Sequence, residues 1–383
     1  MAAAMHLRES AGGKKETTTH RRFVVRRETR ASTLTLILAL PAVLLLAALP
    51  AFASRVLLQE LFYVFTMLTL AQMWNLLAGS AGLMSVGQQA FVGVGAYALF
   101  AFTVIAGLDA AASIVLAGVI AGLVAIPAAL IVFRLRGAYF AIGTWVVAEV
   151  CRLVLAQVKQ LGGGTGTSLP SDIASSIVGL DFVRELFAVR GPAARDIMVY
   201  WLALILAIGA FILVYWLLRS RHGLALSAIG DSEVAAESTG VDVFRTKFLI
   251  YVLTAAASGM AGALIFLQKA RISPDAAFSL IDWTAYVISI VVIGGIGTME
   301  GPIIGVAIFY LLQYYLAALG SWYLILLGGL AILLMLFAPS GVWGVVSHAF
   351  DISLFPVRRR LLATTDIAAT SVGKPLGGSE AER

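Results

Sequence analysis

The chain has 383 residues, of which 60% are hydrophobic and only 13% are charged. Soluble domains carry about 25% charged residues, so this composition excludes an ordinary soluble protein and predicts several membrane spans. A single cysteine, Cys151, can form neither an internal disulfide nor a thiolate cluster, and the four histidines are scattered along the chain. We therefore expect no metal site and no redox chemistry in this chain.

The first 54 residues divide into a basic tail and an apolar run. Residues 1–32 are polar and hold eight lysines and arginines, so we expect a disordered cytoplasmic tail. Residues 31–54 are uncharged and long enough to cross a bilayer. They end in Ala51-Phe-Ala53, which is typical of a signal-peptidase site, so a cleaved signal is the alternative to a first span. The run exceeds the ~7–15 apolar residues of a signal core, which favours the span.

Long apolar runs, all but one of them free of charged residues, recur along the chain and predict an all-α transmembrane bundle of about ten spans. After the first run they lie near 61–78, 88–108, 110–133, 139–157, 197–218, 248–268 and 283–299, with two more between Gly301 and Phe350. Residues 33–350 would form the membrane domain, with an outer loop at about 160–196 and a terminal tail at 351–383. Phe182, Val183, Leu186 and Phe187 predict a short amphipathic helix in that outer loop.

The distribution of positive charge predicts the orientation of the bundle. With a cytoplasmic N-terminus, the segments 1–32, 134–136, 219–247 and 358–360 are internal and hold 8, 2, 4 and 3 lysines and arginines. The outer segments together hold 7, and acidic residues largely balance these. Because cytoplasmic loops of membrane proteins are enriched in Lys and Arg, we expect both termini in the cytoplasm.

One internal loop, residues 219–247, is unusually polar for a chain of this composition. Asp231 or Ser232 can cap a short helix there, and Gly240 can end it. The residues between them are small or acidic, namely Glu233, Ala235, Ala236 and Glu237. We interpret the loop as the surface where a separate, energy-supplying protein binds a membrane pore. The alternative is a solvated connector.

Polar side chains at membrane depth are costly, and they suggest where a substrate could pass. Glu149 and Arg152 are three residues apart on one predicted span, where they could form a structural ion pair or contact a substrate. Gln88 and Gln89 follow a glycine-rich break and could line a path, although small residues there also favour close helix packing. The glycines of residues 162–166 lack the Gly-Lys-Ser/Thr ending of a phosphate loop, so we expect nucleotide to bind elsewhere.

Four segments, taken in order, resemble the LivM-type permease subunits of branched-chain amino acid ATP-binding-cassette importers. They are NLLAGSAGLMSVGQQAF from residue 75, LRGAYFAIGTWVVAE from 135, GLALSAIGDSEVAAESTG from 223 and VIGGIGTMEGP from 292. Together they cover most of residues 57–340, and the two tails have no counterpart. The resemblance implies a second homologous permease subunit, two cytoplasmic ATP-binding subunits that hold ATP and Mg, and an extracytoplasmic substrate-binding protein.

The resemblance also implies site residues and a location in the bacterial inner membrane. The ATPase-coupling loop would include Gly223, Ala228, Asp231, Glu233, Ala235, Ala236, Glu237 and Gly240. From the polar residues of the spans themselves, we expect the translocation path to include Gln88, Gln89, Thr144, Glu149, Arg152 and Thr298. We expect no catalytic residues and no nucleic-acid partner.

The sequence leaves two other functions and the identity of the substrate open. A single-chain ion-coupled secondary transporter would need buried acids in its spans, and only Glu149 lies clearly within one. A membrane-embedded enzyme would need a cluster of catalytic side chains, which the spans lack. Within the importer class, the cargo could be branched-chain amino acids, other amino acids, urea or short amides.

Overall fold

The computed structural model describes residues 22–26, 30–170, 177–316, 320, 322–338, 340–350, 354–355 and 360–364. Most of this is helical, as expected for apolar segments that must satisfy their own backbone hydrogen bonds in a membrane. The helices are α1 (Arg30–Ala48), α2 (Arg55–Asn75), α3 (Gln88–Phe100), α4 (Ala110–Val132), α5 (Ala138–Leu155), α6 (Leu180–Phe187), α7 (Gly191–Arg219), α8 (Arg221–Asp231), α9 (Glu233–Ser238), α10 (Val243–Lys269), α11 (Pro274–Ala277), α12 (Tyr286–Gly294), α13 (Gly301–Leu316), α14 (Trp322–Phe337) and α15 (Gly341–Phe350).

Within these residues, eight helical segments are long and apolar enough to cross a membrane. They are Arg55–Ser80, Gln88–Ile105, Ala110–Val132, Ala138–Leu155, Gly191–Arg219, Val243–Lys269, Pro274–Gly294 and Leu324–Phe350. Two shorter apolar helices, Ile37–Ala51 and Gly301–Leu316, bring the number of candidates to ten. The predicted all-α bundle of about ten spans is confirmed.

Two short strand pairs accompany the helices, and both are antiparallel. Strand β1 (Arg22–Arg26) pairs with β4 (Arg360–Thr364), and β2 (Thr167–Ser168) pairs with β3 (Arg271–Ile272). The tails predicted at 1–32 and 351–383 otherwise lie largely outside the described residues. The predicted amphipathic helix is α6, in which Val183 is buried and Phe182 and Leu186 are exposed.

Helix α10 lies at the centre of the bundle because small residues let its neighbours approach closely. A Cβ on Gly95 of α3 would collide with the Gly259 carbonyl of α10, and one on Gly262 would collide with the Val92 carbonyl. Neither pair of backbones could come together if these positions carried side chains. Glycine at these positions therefore fixes how α3 crosses α10.

Cross-loop contacts sort the connections into two sets, one at each end of the bundle. One set joins Arg55 to Asp196, Asp109 to the Val178 amide, and β2 to β3. The other joins Asn75 to the Thr298 carbonyl, Glu300 to the Phe355 amide, and β1 to β4. If the chain crosses the membrane ten times, the loops within each set lie on the same side of the membrane.

One helix begins well before the span predicted for it. Helix α7 begins at Gly191, six residues before the predicted span, with Pro at its first turn. Its first turns include Asp196, which is buried and paired with Arg55 and also accepts a hydrogen bond from Gln59. That pairing allows a charged residue to extend the helix.

Candidate functional site

The 219–247 loop folds into two short helices. Helix α8 ends at Asp231, and the Ser232 hydroxyl accepts a hydrogen bond from the Ala235 amide at 3.3 Å, so Ser232 caps α9. Gly240 has a φ of +87°, a left-handed conformation that glycine adopts without strain and that ends the turn. Both capping signals that the sequence suggests are therefore used.

A small apolar core lies beneath α9. Ala236 is 2% exposed and packs with Ile229 and Val243, with Ala228 at the edge of the cluster. Gly223, at the start of α8, would collide with the Leu218 backbone if it carried a Cβ. Gly223 therefore allows α8 to turn back tightly against the end of α7, and Ala236 allows α9 to pack on α8 and α10.

The solvent-exposed face of α9 carries Ala235 and two acidic residues of the predicted coupling set. Ala235 and Glu237 are exposed, and Glu233 forms a salt bridge with Lys247. Between them Val234 is 78% exposed, the most exposed large hydrophobic side chain of the loop. Sequence reasoning missed Val234, although its place in the middle of a capped helix was a usable signal.

A break in the helix between α2 and α3 forms the polar centre of the bundle. After α2 the chain makes a π-helical turn, Leu76–Ser80, and residues 81–87 lead to the start of α3. Gln88 there donates to the Ser258 hydroxyl at 2.8 Å, about 22 Å from the start of α10 and about 16 Å from its end. The break predicted from the glycines is present, and α3 begins near the middle of the bundle.

Side-chain hydroxyls satisfy the backbone at this break. Thr144 of α5 accepts a hydrogen bond from the Val86 amide at 3.0 Å, and Thr284 accepts one from the Gln89 amide at 3.2 Å. Thr284 also donates to the Gln89 side-chain oxygen. The structure thus brings Gln88, Gln89 and Thr144 together, buries all three, and gives each a protein partner.

Thr298 lies apart from this group, in the loop between α12 and α13. Its hydroxyl donates to the Gly295 carbonyl at 2.9 Å and accepts from the Gly301 amide at 3.0 Å. The Asn75 side chain of α2 binds the same loop through two hydrogen bonds of 2.7 Å. It accepts one from the Gly297 amide and donates the other to the Thr298 carbonyl. Thr298 therefore shapes a loop that is anchored to α2.

Glu149 and Arg152 form a third group near the end of α5. Arg152 Nη2 lies 2.6 Å from Glu149 Oε1, and Arg152 Nη1 lies 2.9 Å from Asp275 Oδ1. The three side chains are 46%, 27% and 86% exposed in the order Glu149, Arg152, Asp275. The predicted pair is therefore one part of a three-charge cluster that is open to its surroundings.

Three partners in these groups were not identified from the sequence. Asp275, Ser258 and Thr284 lie 123, 170 and 195 residues from the side chains they contact. Asp275 stands in a Ser-Pro-Asp turn after an apolar run, which marks a helix start and not a charge partner. No local pattern connects residues so far apart along the chain.

Comparison with known proteins assigns the chain to a family. A family model described as the permease component of branched-chain amino acid transport systems matches residues 56–336. The LivM permease proteins of Salmonella typhimurium and Escherichia coli are each 28% identical to the chain over 282 residues, which is 70% of this chain and 65% of the relative. The chain thus matches about two thirds of the length of these curated relatives.

A third relative is the probable LivH permease of Methanocaldococcus jannaschii, 33% identical over 46% of this chain and 58% of its own length. No solved structure gives a significant match. The family model covers far more than half of the chain, and it describes transport permeases, not enzymes. This protein belongs to the family of branched-chain amino acid transport permeases.

Proposed function

We propose that this chain is the transmembrane permease subunit of an ATP-binding-cassette importer in a bacterial inner membrane. It pairs with a second homologous permease subunit and moves branched-chain or similar small amino acids. Two cytoplasmic ATPase subunits bind ATP and Mg²⁺ and drive the transport, and an extracytoplasmic binding protein delivers the substrate. The names of the relatives support the substrate class.

The exposed valine on the 219–247 loop carries the proposal for ATP-driven transport. A helix of six residues is not stable by itself, so the Ser232 cap and the packing of Ala236 hold α9 in place. This scaffold presents Val234 at 78% exposure between acidic residues. A solvated connector needs no such scaffold, whereas a surface that docks into an ATPase does.

Positive charge supports a cytoplasmic position for this loop. The proposed internal segments hold 8, 2, 4 and 3 lysines and arginines, against 7 in the outer segments. Phe355 of the terminal tail packs against Phe211 and Tyr215, close to the end of α7 where the loop begins. The tail and the loop therefore share one side, and both would meet the cytoplasm.

The three-charge cluster between α5 and α11 supports a path for zwitterions. Glu149 lies about 9 Å from the end of α5, on a helix whose other exposed side chains are mostly apolar. Lipid contact would leave these charges poorly solvated, so we assign this side of α5 to a water-filled path beside the second permease. Arg152 would attract the carboxylate of an amino acid, and Glu149 or Asp275 its ammonium group.

The other predicted path residues hold neighbouring segments in place and do not face the proposed path themselves. Gln88, Gln89 and Thr144 hold the start of α3 in the middle of the bundle, next to α5. Thr298 holds the loop at the cytoplasmic end, where Asn75 anchors it to α2.

Copurification with the ATPase subunits of the same organism tests the proposal. Val234→Asp places a charge on the docking surface without touching the bundle, and we expect it to abolish copurification and the stimulation of ATP hydrolysis. Val178→Asp is the matched control, because Val178 is 70% exposed at the opposite end of the bundle. If both variants retain the ATPase equally well, α9 is not the docking surface.

A further inference from the structure

A groove between α2 and α13 is not used by the proposed transport mechanism. It has a volume of about 300 Å³ and is lined by Val56, Gln59, Glu60, Tyr63, Tyr310 and Gln313. It lies at the end of the bundle that carries the Arg55–Asp196 contact, far from the 219–247 loop. Under the proposed orientation this end faces the outside.

The groove offers hydrogen-bond acceptors and negative charge. Glu60 forms no salt bridge with any basic group in the described part of the chain, and the nearby Arg55 is paired with Asp196. The Gln313 side-chain oxygen is buried and accepts no hydrogen bond. The Tyr310 hydroxyl lies beside the Glu60 carboxylate. A ligand that satisfies these groups must carry positive charge and donate hydrogen bonds.

The polar groups that line the groove favour an organic cation over a metal ion. One carboxylate and one amide oxygen are too few ligands for Ca²⁺ or Mg²⁺, which take six or more oxygens. A primary ammonium group has three N–H donors, which match the Glu60 carboxylate, the Gln313 oxygen and a tyrosine hydroxyl. The rings of Tyr63 and Tyr310 add surfaces that attract a cation.

The depth of the groove places it at the membrane interface. Glu60 is five residues, or about 7.5 Å, from the start of α2, and Gln313 is three residues, or about 4.5 Å, from the end of α13. Tyr314 and Tyr315, both well exposed, continue the aromatic surface on α13. Tyrosines gather where membrane spans meet lipid headgroups.

We propose that this groove binds a primary ammonium group, supplied by the headgroup of an aminophospholipid in the outer leaflet. The carboxylate of Glu60 and the amide oxygen of Gln313 accept the N–H groups, and the tyrosine rings enclose the cation. A free amino acid carries the same ammonium group and is the other possible source. Bound lipid at this position would brace α2 against α13.

Lipid-dependent thermal unfolding of the purified full chain tests the proposal without any transport measurement. The chain is placed in nanodiscs of phosphatidylethanolamine, phosphatidylcholine or phosphatidylglycerol with identical acyl chains. We expect phosphatidylethanolamine to raise the unfolding midpoint by about 3 °C over both other lipids. Glu60→Gln and Gln313→Leu should each remove this difference, whereas Glu185→Gln, exposed on α6, should keep it.

The outcomes separate the two sources of the ammonium group. If leucine added to phosphatidylglycerol nanodiscs gives a rise that depends on Glu60, the site binds ammonium and its source is a free amino acid. Equal midpoints in all three lipids, with no effect of leucine, would overturn the proposal. A preference for phosphatidylethanolamine that survives Glu60→Gln would overturn it as well.

Discussion

Gln89 and Thr284 bind each other through two hydrogen bonds across 195 residues of sequence. The Thr284 hydroxyl donates to the Gln89 side-chain oxygen and accepts from the Gln89 amide at 3.2 Å. Both residues are buried within the bundle, so a polar group that lost its partner there would be shielded from water. The contact joins the start of α3 to the span that ends in α12.

Replacing Thr284 tests whether this contact holds the break in place. Thr284→Val keeps the shape of the side chain but leaves the Gln89 amide and side-chain oxygen without a partner. We expect a loss of about 1–3 kcal/mol in the free energy of unfolding, measured by thermal unfolding in detergent. Thr69→Val is the control, because the Thr69 hydroxyl bonds only to the Phe65 carbonyl of its own helix. A loss of similar size in both variants would contradict the assignment.

A pair of glycine substitutions tests the packing of α10. Gly95→Ala brings a methyl group onto the Gly259 carbonyl, so we expect a loss of about 1–3 kcal/mol in stability. Gly122→Ala meets its nearest neighbour, the Ala256 methyl, at an ordinary 3.5 Å and also favours the helix by about 1 kcal/mol. Thermal unfolding should therefore separate the two variants, and equal stability would show that α3 can shift on α10.

The sequence was sufficient for the spans and the capped loop but not for the contacts between them. Charge-free runs of about 20 residues locate the helices directly, and Ser232 and Gly240 mark α9 by local chemistry. Thr284 and Asp275 could not be found, because their partners are distant in sequence and both residue types also occur at turns and caps. The inward position of Ala236 likewise depends on Ile229 and Val243, which only the fold brings together.

The two alanines of α9 should respond differently to the same substitution. Ala235 is exposed, so Ala235→Trp should block ATPase docking while the unfolding midpoint stays unchanged. Ala236 is buried against Ile229, so Ala236→Trp should disrupt the loop itself and increase its cleavage by protease. Limited proteolysis and copurification together distinguish these effects. Normal docking by Ala235→Trp would show that the exposed face of α9 is free of the ATPase.

The three-charge cluster should affect substrate affinity more than stability. Arg152→Gln removes the cation that we assign to the substrate carboxylate, and losing about 1.5 kcal/mol would weaken binding about tenfold. Exposed ion pairs contribute at most about 1 kcal/mol to stability, so the unfolding midpoint should change little. The KM for substrate uptake measures the effect of Arg152→Gln on affinity.

A second ion pair of the same spacing provides the control for that experiment. Arg184 and Asp181 lie three residues apart on α6, with 2.8 Å between Arg184 Nη1 and Asp181 Oδ1. Arg184→Gln should leave the KM unchanged, because α6 lies outside the proposed path. An unchanged KM in Arg152→Gln would reduce the cluster to a structural ion pair.

Uptake of labelled leucine into proteoliposomes tests the proposed function most directly. The vesicles contain this chain with the second permease and ATPase subunits of the same organism, the binding protein faces outward, and ATP is enclosed. We predict uptake that requires enclosed ATP and is lost with Val234→Asp but not with Val178→Asp. Uptake by this chain alone, driven by a proton or sodium gradient, would contradict the proposed function as a subunit of an ATP-driven importer.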